Sequence, residues 1–209
     1  GKNIVYGPRR VIEKIEIDLD KDQDSIDYKA HTNEEISKFS GEQVLEKILK
    51  ANLFTYFRQR PFNVIPNHKV PPRDIFISGL NTGPLSVDIE VVMAGQLENF
   101  QNGINAISKL TKGNVYLTAK KNSVLSSIEN VKLNTISGPH PAGNVGIQIH
   151  HISHLRPGEI VWTINPQEVA TLGKFFKTGK YDPYRVISVG GPSVKTPSYY
   201  KVRAGVPIK

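Results

Sequence analysis

The sequence predicts an α/β domain in which helices cover a mostly parallel β-sheet. Between residues 75 and 178, short aliphatic runs that suit buried strands alternate with longer segments whose apolar residues recur every three or four positions, as in helices. Strands that alternate with helices form parallel sheets, because each helix returns the chain to the start of the next strand. The chain has 209 residues, 38% of them apolar, which is enough for a large hydrophobic core.

The first 30 residues are predicted to be the end of an N-terminal β domain followed by an acidic linker. Residues 3–6 and 11–19 have the composition of strands, and the second run alternates apolar with charged side chains. Residues 20–35 are rich in acidic residues and contain few large apolar ones, so they can bury little surface. We therefore expect a domain boundary in this segment.

A helix is predicted to begin after Ser40 and to run to about Phe57. Ser40 and Gln43 have the spacing of a capping box, and the apolar residues that follow recur on one helical face. Residues 60–72 contain four prolines, which lack an N–H and restrict the residue before them. We expect an ordered loop there.

The remaining strands and helices define a core domain over residues 31–180. The predicted strands are 75–78, 115–119, 131–136 and 159–164, and the predicted helices are 88–95, 97–110, 123–128 and 166–178. Pro166 in the first turn and Gly179 after the last turn indicate the ends of the final helix. Further strands at 185–189 and 199–202 flank glycine and proline residues, so the pattern changes after Tyr181 and a new domain is expected over residues 181–209.

Composition excludes several classes of site. The chain has no cysteine, so it cannot form a disulfide or a cysteine-ligated zinc or iron–sulfur centre. The net charge is 27 − 19 = +8, and residues 99–209 carry 14 bases against 4 acids. This excess would suit anionic headgroups or an acidic partner. Since the bases are dispersed and no aromatic-plus-basic RNA-binding signature occurs, we predict no nucleic-acid partner.

Residues 138–146 form a glycine- and proline-rich loop that either shapes a pocket or merely connects two elements. Its spacing matches neither the dinucleotide fingerprint nor the phosphate loop. His140, His150 and His151 lie in or after this loop and are candidate proton-carrying groups, with packing or exposed roles as alternatives. The segment has no carboxylate to complete a histidine metal site, so no metal is predicted.

Arg58 and Arg60 are candidate contacts for an anion or an acidic partner. They flank Gln59 just before Pro61, and a guanidinium presents a fork of donors that matches carboxylates and phosphates. The alternative is two exposed charges at a helix end, where they would favour the negative end of the helix dipole. No residue forms a recognisable catalytic motif, so no catalytic residue is predicted.

Five blocks of sequence together carry a resemblance to one family. One block is SGPHPAGNVGIQIHHI at Ser137–Ile152, and the other four are Leu53–Phe62, Ile75–Val92, Ile160–Tyr181 and Arg185–Ala204. Taken in their order along the chain, the five blocks resemble the NqrA subunit of the sodium-translocating NADH:quinone oxidoreductase, a bacterial respiratory sodium pump. The resemblance covers most of the chain from Leu53 onward.

The resemblance implies an internal part of a longer subunit. The core would be Rossmann-like, and residues 181–209 would begin a β-grasp-like SLBB domain. The subunit would be peripheral on the cytoplasmic face of the inner membrane, next to the membrane-embedded subunits. Covalent FMN, riboflavin and iron–sulfur centres would belong to other subunits, so this chain would bind no redox cofactor and would not catalyse alone. Ubiquinone or menaquinone would be its small-molecule partner.

Two main functional hypotheses follow, beside a third, a nucleic-acid-binding module that would rest on charge alone and would show binding that falls steeply with salt. The first is a peripheral subunit that contributes to quinone reduction coupled to Na⁺ export. The second is a self-sufficient oxidoreductase that binds a flavin or a nucleotide in a degenerate Rossmann site near Gly138–Gly146; the missing fingerprint argues against it. A flavin or dinucleotide that co-purifies with the chain would favour the second.

Overall fold

A computed structural model describes residues 15–18 and 26–207. Their strands are β1 (Arg58–Arg60), β2 (Ile75–Ser78), β3 (Val115–Ala119), β4 (Lys132–Thr135), β5 (Val161–Thr163), β6 (Tyr184–Val189) and β7 (Ser198–Arg203). The helices are α1 (Asn33–Lys38), α2 (Gly41–Lys50), α3 (Ile89–Met93), α4 (Leu97–Ile107), α5 (Val145–Ser153) and α6 (Pro166–Thr178). Of the predicted N-terminal strands, 3–6 and most of 11–19 lie outside the described residues.

The central sheet has five strands in the order β1-β5-β2-β3-β4. The pairs β2–β3, β3–β4 and β2–β5 are parallel, and only the edge strand β1 runs antiparallel, against β5. The predicted α/β class with a mostly parallel sheet is therefore confirmed. The predicted strands at 75–78 and 115–119 match β2 and β3 residue for residue.

The two faces of the sheet are covered by different helices. Successive residues of a strand point to opposite faces, and in β2 the side chain of Ile77 joins the larger core with α4 and α6, whereas Phe76 packs with Ile149 of α5. Trp162 of β5 lies in the larger core, 5.4 Å between ring centroids from both Phe54 and Phe57. The sheet is thus a middle layer between helices, as the alternating pattern predicts.

Local capping explains where several helices begin and end. At α2, Gln43 N donates to Ser40 Oγ (3.2 Å) and Ser40 N donates to Gln43 Oε1 (3.0 Å), which confirms the predicted capping box. The predicted extension to Phe57 is wrong, because the helix ends at Lys50 and Asn52 adopts a left-handed conformation (φ 56°). A separate 3₁₀ turn follows at Leu53–Tyr56.

Two helices lie where none was predicted. Helix α1 begins inside the segment expected to be an acidic linker, at a capping box of Thr32 and Glu35. That signal is present in the sequence, since a Thr followed three residues later by Glu is a start signal. Helix α5 occupies the second half of the Ser137–Ile152 block; its short apolar face, with Ile149 buried, gives little periodic signal.

Residues 184–203 form an antiparallel hairpin of β6 and β7 that packs beside the carboxyl edge of the main sheet. Its register pairs Arg185 with Val202 and Ser188 with Tyr199. The change of pattern predicted after Tyr181 agrees with this change from a parallel sheet to a hairpin. Its assignment to an SLBB domain stays a prediction.

Candidate functional cleft

A large cavity opens at the carboxyl ends of the parallel strands. The chain adds β3 and then β4 on one side of β2, and the direction in which strands are added then reverses, with β5 on the other side of β2. A parallel sheet leaves a crevice at such a reversal, and ligands of open α/β sheets bind there. The cleft here has a volume of about 660 Å³ and is lined by Ser78 at the end of β2 and by Asn165 just after β5.

The lining of this cleft combines apolar and polar side chains. Its apolar members are Leu80, Val87, Ile89, Val145, Ile147 and Pro166, and its polar and charged members are Arg60, Ser78, Asn81, Asn144, Asn165, Gln167 and Arg185. No aspartate or glutamate lines it among the described residues. The two arginines therefore give the cleft a positive potential.

Arg58 and Arg60 lie on β1, directly after the 3₁₀ turn Leu53–Tyr56, so the alternative of an exposed charge at a helix end agrees with Arg58 but not with Arg60. The Arg58 guanidinium donates to the backbone carbonyls of Thr55 (2.6 Å) and Phe57 (3.0 Å). Arg60 pairs with Val161 across the sheet and its side chain lines the cleft. Its Nε is buried and has no hydrogen-bond partner within the described chain.

The glycine-rich loop reaches the cleft through its last residues. Gly143 and Gly146 both line it, and Gly143 N donates to Thr82 Oγ1 (2.9 Å), which joins this loop to the loop after β2. A Cβ on Gly143 would come within 2.6 Å of Thr82 N, so the two loops pack in close contact. Of the two interpretations of the loop, the pocket-shaping one agrees with this placement.

Gln148 fastens the base of this loop and was missed by the sequence analysis. Its side chain is buried; Nε2 donates to Ser78 Oγ (2.9 Å) and to Ala142 O (3.1 Å), while Oε1 accepts from Thr118 Oγ1 (2.8 Å). A buried amide that bridges two strands and a loop specifies their relative position. Nothing in the sequence marks this glutamine, because its strand partners are distant in the chain.

The hairpin supplies the wall of the cleft opposite α5. Val186 N donates to Gln167 Oε1 (2.9 Å) and Gln167 Nε2 donates to Val186 O (3.0 Å). Arg185 lines the cleft and donates to Glu168 Oε1 (3.3 Å). The cleft is therefore built jointly by the core domain and by the strand that follows it.

A smaller cavity of about 250 Å³ continues the cleft beyond Arg60. It shares Arg60, Ser78, Val145 and Asn165 with the larger cavity and is also lined by Tyr56 and Glu168. The Tyr56 hydroxyl lies 3.4 Å from that of Tyr181, and the Arg185 guanidinium lies 5.2 Å from the centre of the Tyr56 ring. Burial, together with the Tyr181 hydroxyl, raises the pKa of Tyr56 well above its ordinary value.

The candidate histidines lie outside this cleft. His140, His150 and His151 are exposed, and none of them lines either cavity. His140 Nδ1 lies 3.3 Å from Thr82 Oγ1, and the rings of His150 and His151 are 5.3 Å apart. Over residues 15–18 and 26–207, no group of three potential metal ligands comes together.

Comparison with known proteins places most of the chain within one family of sequences. Residues 39–181 match the family described as the NqrA second alpha/beta domain. The NqrA subunit of the Na(+)-translocating NADH-quinone reductase of Marinomonas sp. (strain MWYL1) is 34% identical over 200 residues, which cover 96% of this chain and 45% of the relative. The corresponding subunits of Pasteurella multocida (strain Pm70) and Pseudomonas aeruginosa are 34% and 35% identical over 201 residues, with 95% of this chain covered. The chain thus spans about 45% of the length of these relatives.

Proposed function

This chain belongs to the NqrA family of the Na(+)-translocating NADH-quinone reductase, and on that basis we propose that it works as part of a peripheral subunit of such a complex, contributing to quinone reduction coupled to Na⁺ export. The matched region, residues 39–181, contains the entire five-stranded sheet and the cleft except for its Arg185 wall. The family match therefore covers the part of the molecule that builds the cleft.

We propose that the other subunits of the complex, especially the membrane-embedded ones, are its partners at the cytoplasmic face of the bacterial inner membrane. In the part of the chain that the structure describes, no helix is both long and apolar enough to cross a bilayer. The excess of 14 − 4 = +10 in residues 99–209 would suit anionic headgroups or an acidic subunit. FMN, riboflavin and iron–sulfur centres would belong to the other subunits.

The cleft is the part of this chain best suited to receive ubiquinone or menaquinone. A quinone head group is a flat ring with two carbonyl oxygens that accept hydrogen bonds. The apolar side chains of Leu80 and Ile147 would pack against such a ring, and the N–H groups of Arg60 and Arg185 are donors within the same cavity. The single observation that supports this proposal is the position of this mixed cleft at the reversal of strand order.

The proposal is tested by titrating a soluble short-chain quinone into the 209-residue chain, followed by calorimetry and amide chemical shifts, with FMN and NADH as parallel ligands. Ile147 lines the cleft and is 40% exposed, so Ile147→Asn removes apolar lining without opening the core. Val124 is 41% exposed and lies outside the cleft, which makes Val124→Asn the matched control. We expect saturable quinone binding that only Ile147→Asn weakens.

The same two variants in the full-length protein of the assembled complex extend the test to function. We expect Ile147→Asn to raise the KM for quinone while NADH oxidation by an artificial acceptor stays unchanged. Equal quinone affinity of both variants and the parent chain would exclude the cleft. Tight FMN or NADH binding with turnover by the isolated chain would exclude the cofactor-free role.

One observation favours the second hypothesis, an oxidoreductase with a degenerate Rossmann site. The end of the Gly138–Gly146 loop lies at the start of α5 and lines the cleft, which is where such a site would be. An absorption spectrum of the purified chain, with added FMN and NADH, tests it. A bound flavin that NADH reduces would support this hypothesis over the first.

A further inference from the structure

The cleft carries positive charge that nothing in its own lining neutralises. Among the described residues that line it, only Arg60 and Arg185 are charged, and both are positive. Arg185 has a partner in Glu168, which lines the smaller cavity beyond. Since one carboxylate faces two guanidinium groups, a net positive charge remains at Arg60.

From this composition we propose that the cleft binds a phosphate monoester carried on an apolar body, with Arg60 as the anchor for the anion. The inference rests on the second hypothesis, a nucleotide site near Gly138–Gly146, and deepens it by naming the anion anchor; it does not depend on membership of a redox complex. It goes beyond the proposed quinone role, because a quinone is neutral and has no need of an uncompensated charge.

The backbone of Arg60 is fixed in the sheet, but its buried Nε has no hydrogen-bond acceptor among the described residues. Its backbone is fixed by pairing with Val161 in the sheet, and Pro61 follows it directly. Its buried Nε has no partner among the described residues, whereas the guanidinium of its neighbour Arg58 donates to two backbone carbonyls. The Arg60 side chain lines the cleft without an ion pair among the described residues, and an oxyanion there would accept from the outer nitrogens of the guanidinium in the bidentate geometry that this group favours.

The first turn of α5 adds a second set of donors on the same cleft. Asn144 at its N-cap makes no side-chain capping bond, and the first turn contains no acidic residue. Residues 144–147 line the cleft, and a Cβ placed on Gly146 would meet no atom within 4 Å, so the space beside this turn is open. The amides of Asn144 and Ile147 already donate to backbone carbonyls, so the N–H groups of Val145 and Gly146 remain as donors here. Together with the positive end of the helix dipole they favour an anion at this position.

The remaining lining of the cavity indicates what kind of group the phosphate is attached to. Its volume of about 660 Å³ exceeds what one phosphate group occupies, and the remaining wall includes Leu80, Val87 and Ile89. A phosphate monoester on a flat or aliphatic apolar body matches both halves of this lining. Two sources present this chemistry, a soluble nucleotide and a lipid headgroup of the phosphatidic acid type.

The experiment uses the 209-residue chain with inorganic phosphate, FMN, AMP and vesicles containing phosphatidic acid as probes, measured by calorimetry and co-sedimentation. Arg60→Gln removes the anchor, and Arg156→Gln, on an exposed arginine outside the cleft, is its control. Gly146→Asp places a carboxylate in the open space beside α5, and the isosteric Gly146→Asn fills the same space without the charge. An acidic residue in the first turn favours a helix, so lost binding in Gly146→Asp would not reflect unfolding.

We expect inorganic phosphate to bind weakly but saturably and the monoester that fits the apolar wall to bind more tightly. Arg60→Gln should weaken binding about tenfold or more, as for a lost charge-assisted hydrogen bond, while Arg156→Gln stays near the parent value. Gly146→Asp should bind about fivefold more weakly than Gly146→Asn, because only the charge differs between them. Tighter binding of FMN or AMP identifies a nucleotide, and tighter binding of vesicles identifies a lipid. Absence of phosphate binding, or equal affinities across each matched pair, would overturn the proposal. The quinone titration is scored separately, since it uses a neutral ligand and Ile147.

Discussion

Gln167 of α6 and Val186 of β6 are joined by two reciprocal hydrogen bonds, from Val186 N to Gln167 Oε1 (2.9 Å) and from Gln167 Nε2 to Val186 O (3.0 Å). Along one edge β6 pairs with β7. Along its other edge, the Gln167 side chain makes the two backbone hydrogen bonds that a second neighbouring strand would make. The hairpin is thereby attached to the first turn of the helix that borders the cleft. Ser188 Oγ adds a further bond to the carbonyl of Leu85 (2.9 Å), in the loop after β2.

Gln167→Ala should detach the hairpin from α6. Loss of both bonds is expected to cost about 1–3 kcal/mol, measured as the free energy of unfolding in urea, and to speed hydrogen exchange at the Val186 amide. Gln167→Glu is the matched variant: it still accepts from Val186 N but cannot donate to Val186 O, so an intermediate loss is expected. If Gln167→Ala left the exchange rate unchanged, the attachment would not depend on this side chain.

Protonation of His31 should lower the free energy of unfolding as the pH decreases below about 6.5. The His31 side chain is only 6% exposed, and its Nε2 has no hydrogen-bond partner among the described residues. Two positive charges, on Lys47 and Lys29, and one negative charge, on Glu35, act on the imidazole. Burial, with Lys47, lowers the pKa of His31 below 6.5, although Glu35 opposes the shift. The unfolded chain therefore binds a proton more readily than the folded chain, so stability decreases as the pH falls below 6.5.

The slope expected from one histidine is at most about 1.4 kcal/mol per pH unit. His31→Gln should flatten the dependence of the unfolding free energy over this pH window, because the titrating group is gone. His150→Gln is the control, since His150 is exposed, and it should retain the parental slope. A slope that persists unchanged in His31→Gln would assign the effect to another group.

Alanine at either glycine of the α4–α6 contact should be strongly destabilising. A Cβ on Gly103 would overlap the carbonyl oxygen of Val169, and a Cβ on Gly173 would overlap that of Asn99. These backbone atoms belong to the partner helix and cannot rotate away, so we expect a loss of about 2 kcal/mol or more in thermal or urea unfolding. Gly146→Ala meets no atom within 4 Å and should fold with parental stability.

Arg73→Gln should loosen the far end of α5. The guanidinium binds Asp74 Oδ2 (2.8 Å), Ser153 O (2.7 Å) and Ser153 Oγ (2.8 Å), and it also forms an ion pair with Glu159. Asp74 is 4% exposed, so removal of its charged partner leaves a buried carboxylate uncompensated, at a cost of about 3 kcal/mol.

A double-mutant cycle of Arg73→Gln with Asp74→Asn measures that coupling directly. We expect the second substitution to recover part of the loss, because a neutral amide no longer needs the guanidinium. Arg156→Gln, at a nearby exposed arginine, should leave the unfolding free energy within about 0.5 kcal/mol. Additive losses in the cycle would show that the Arg73 effect does not act through Asp74.

Local patterns in the sequence were sufficient to predict the class of the fold and the position of many of its helices and strands. Three elements depend only on neighbours within a few residues: the helix cap at Ser40, the strand 75–78, and the last core helix, which begins at Pro166 and stops at Gly179. The missed helix α1 had such a local signal at Thr32 and Glu35. The end of α2 was placed too late, because the apolar stripe continues into a turn that Asn52 separates from the helix.

By itself the sequence determined the α/β class, the family and the two arginines of β1 as candidate site residues, since composition, spacing and the five blocks are properties of the chain alone. Only the tertiary structure decided that Arg60 faces the cleft while Arg58 binds local carbonyls and that the histidines stay outside. It also decided that Gln167 and Arg185 complete the walls and that the buried Gln148 holds the loop beside them. The physical reason is distance along the chain. The cleft forms where the carboxyl ends of β2 and β5 meet, about 85 residues apart in sequence, and short-range patterns carry no information about which side chains such a crossing brings together.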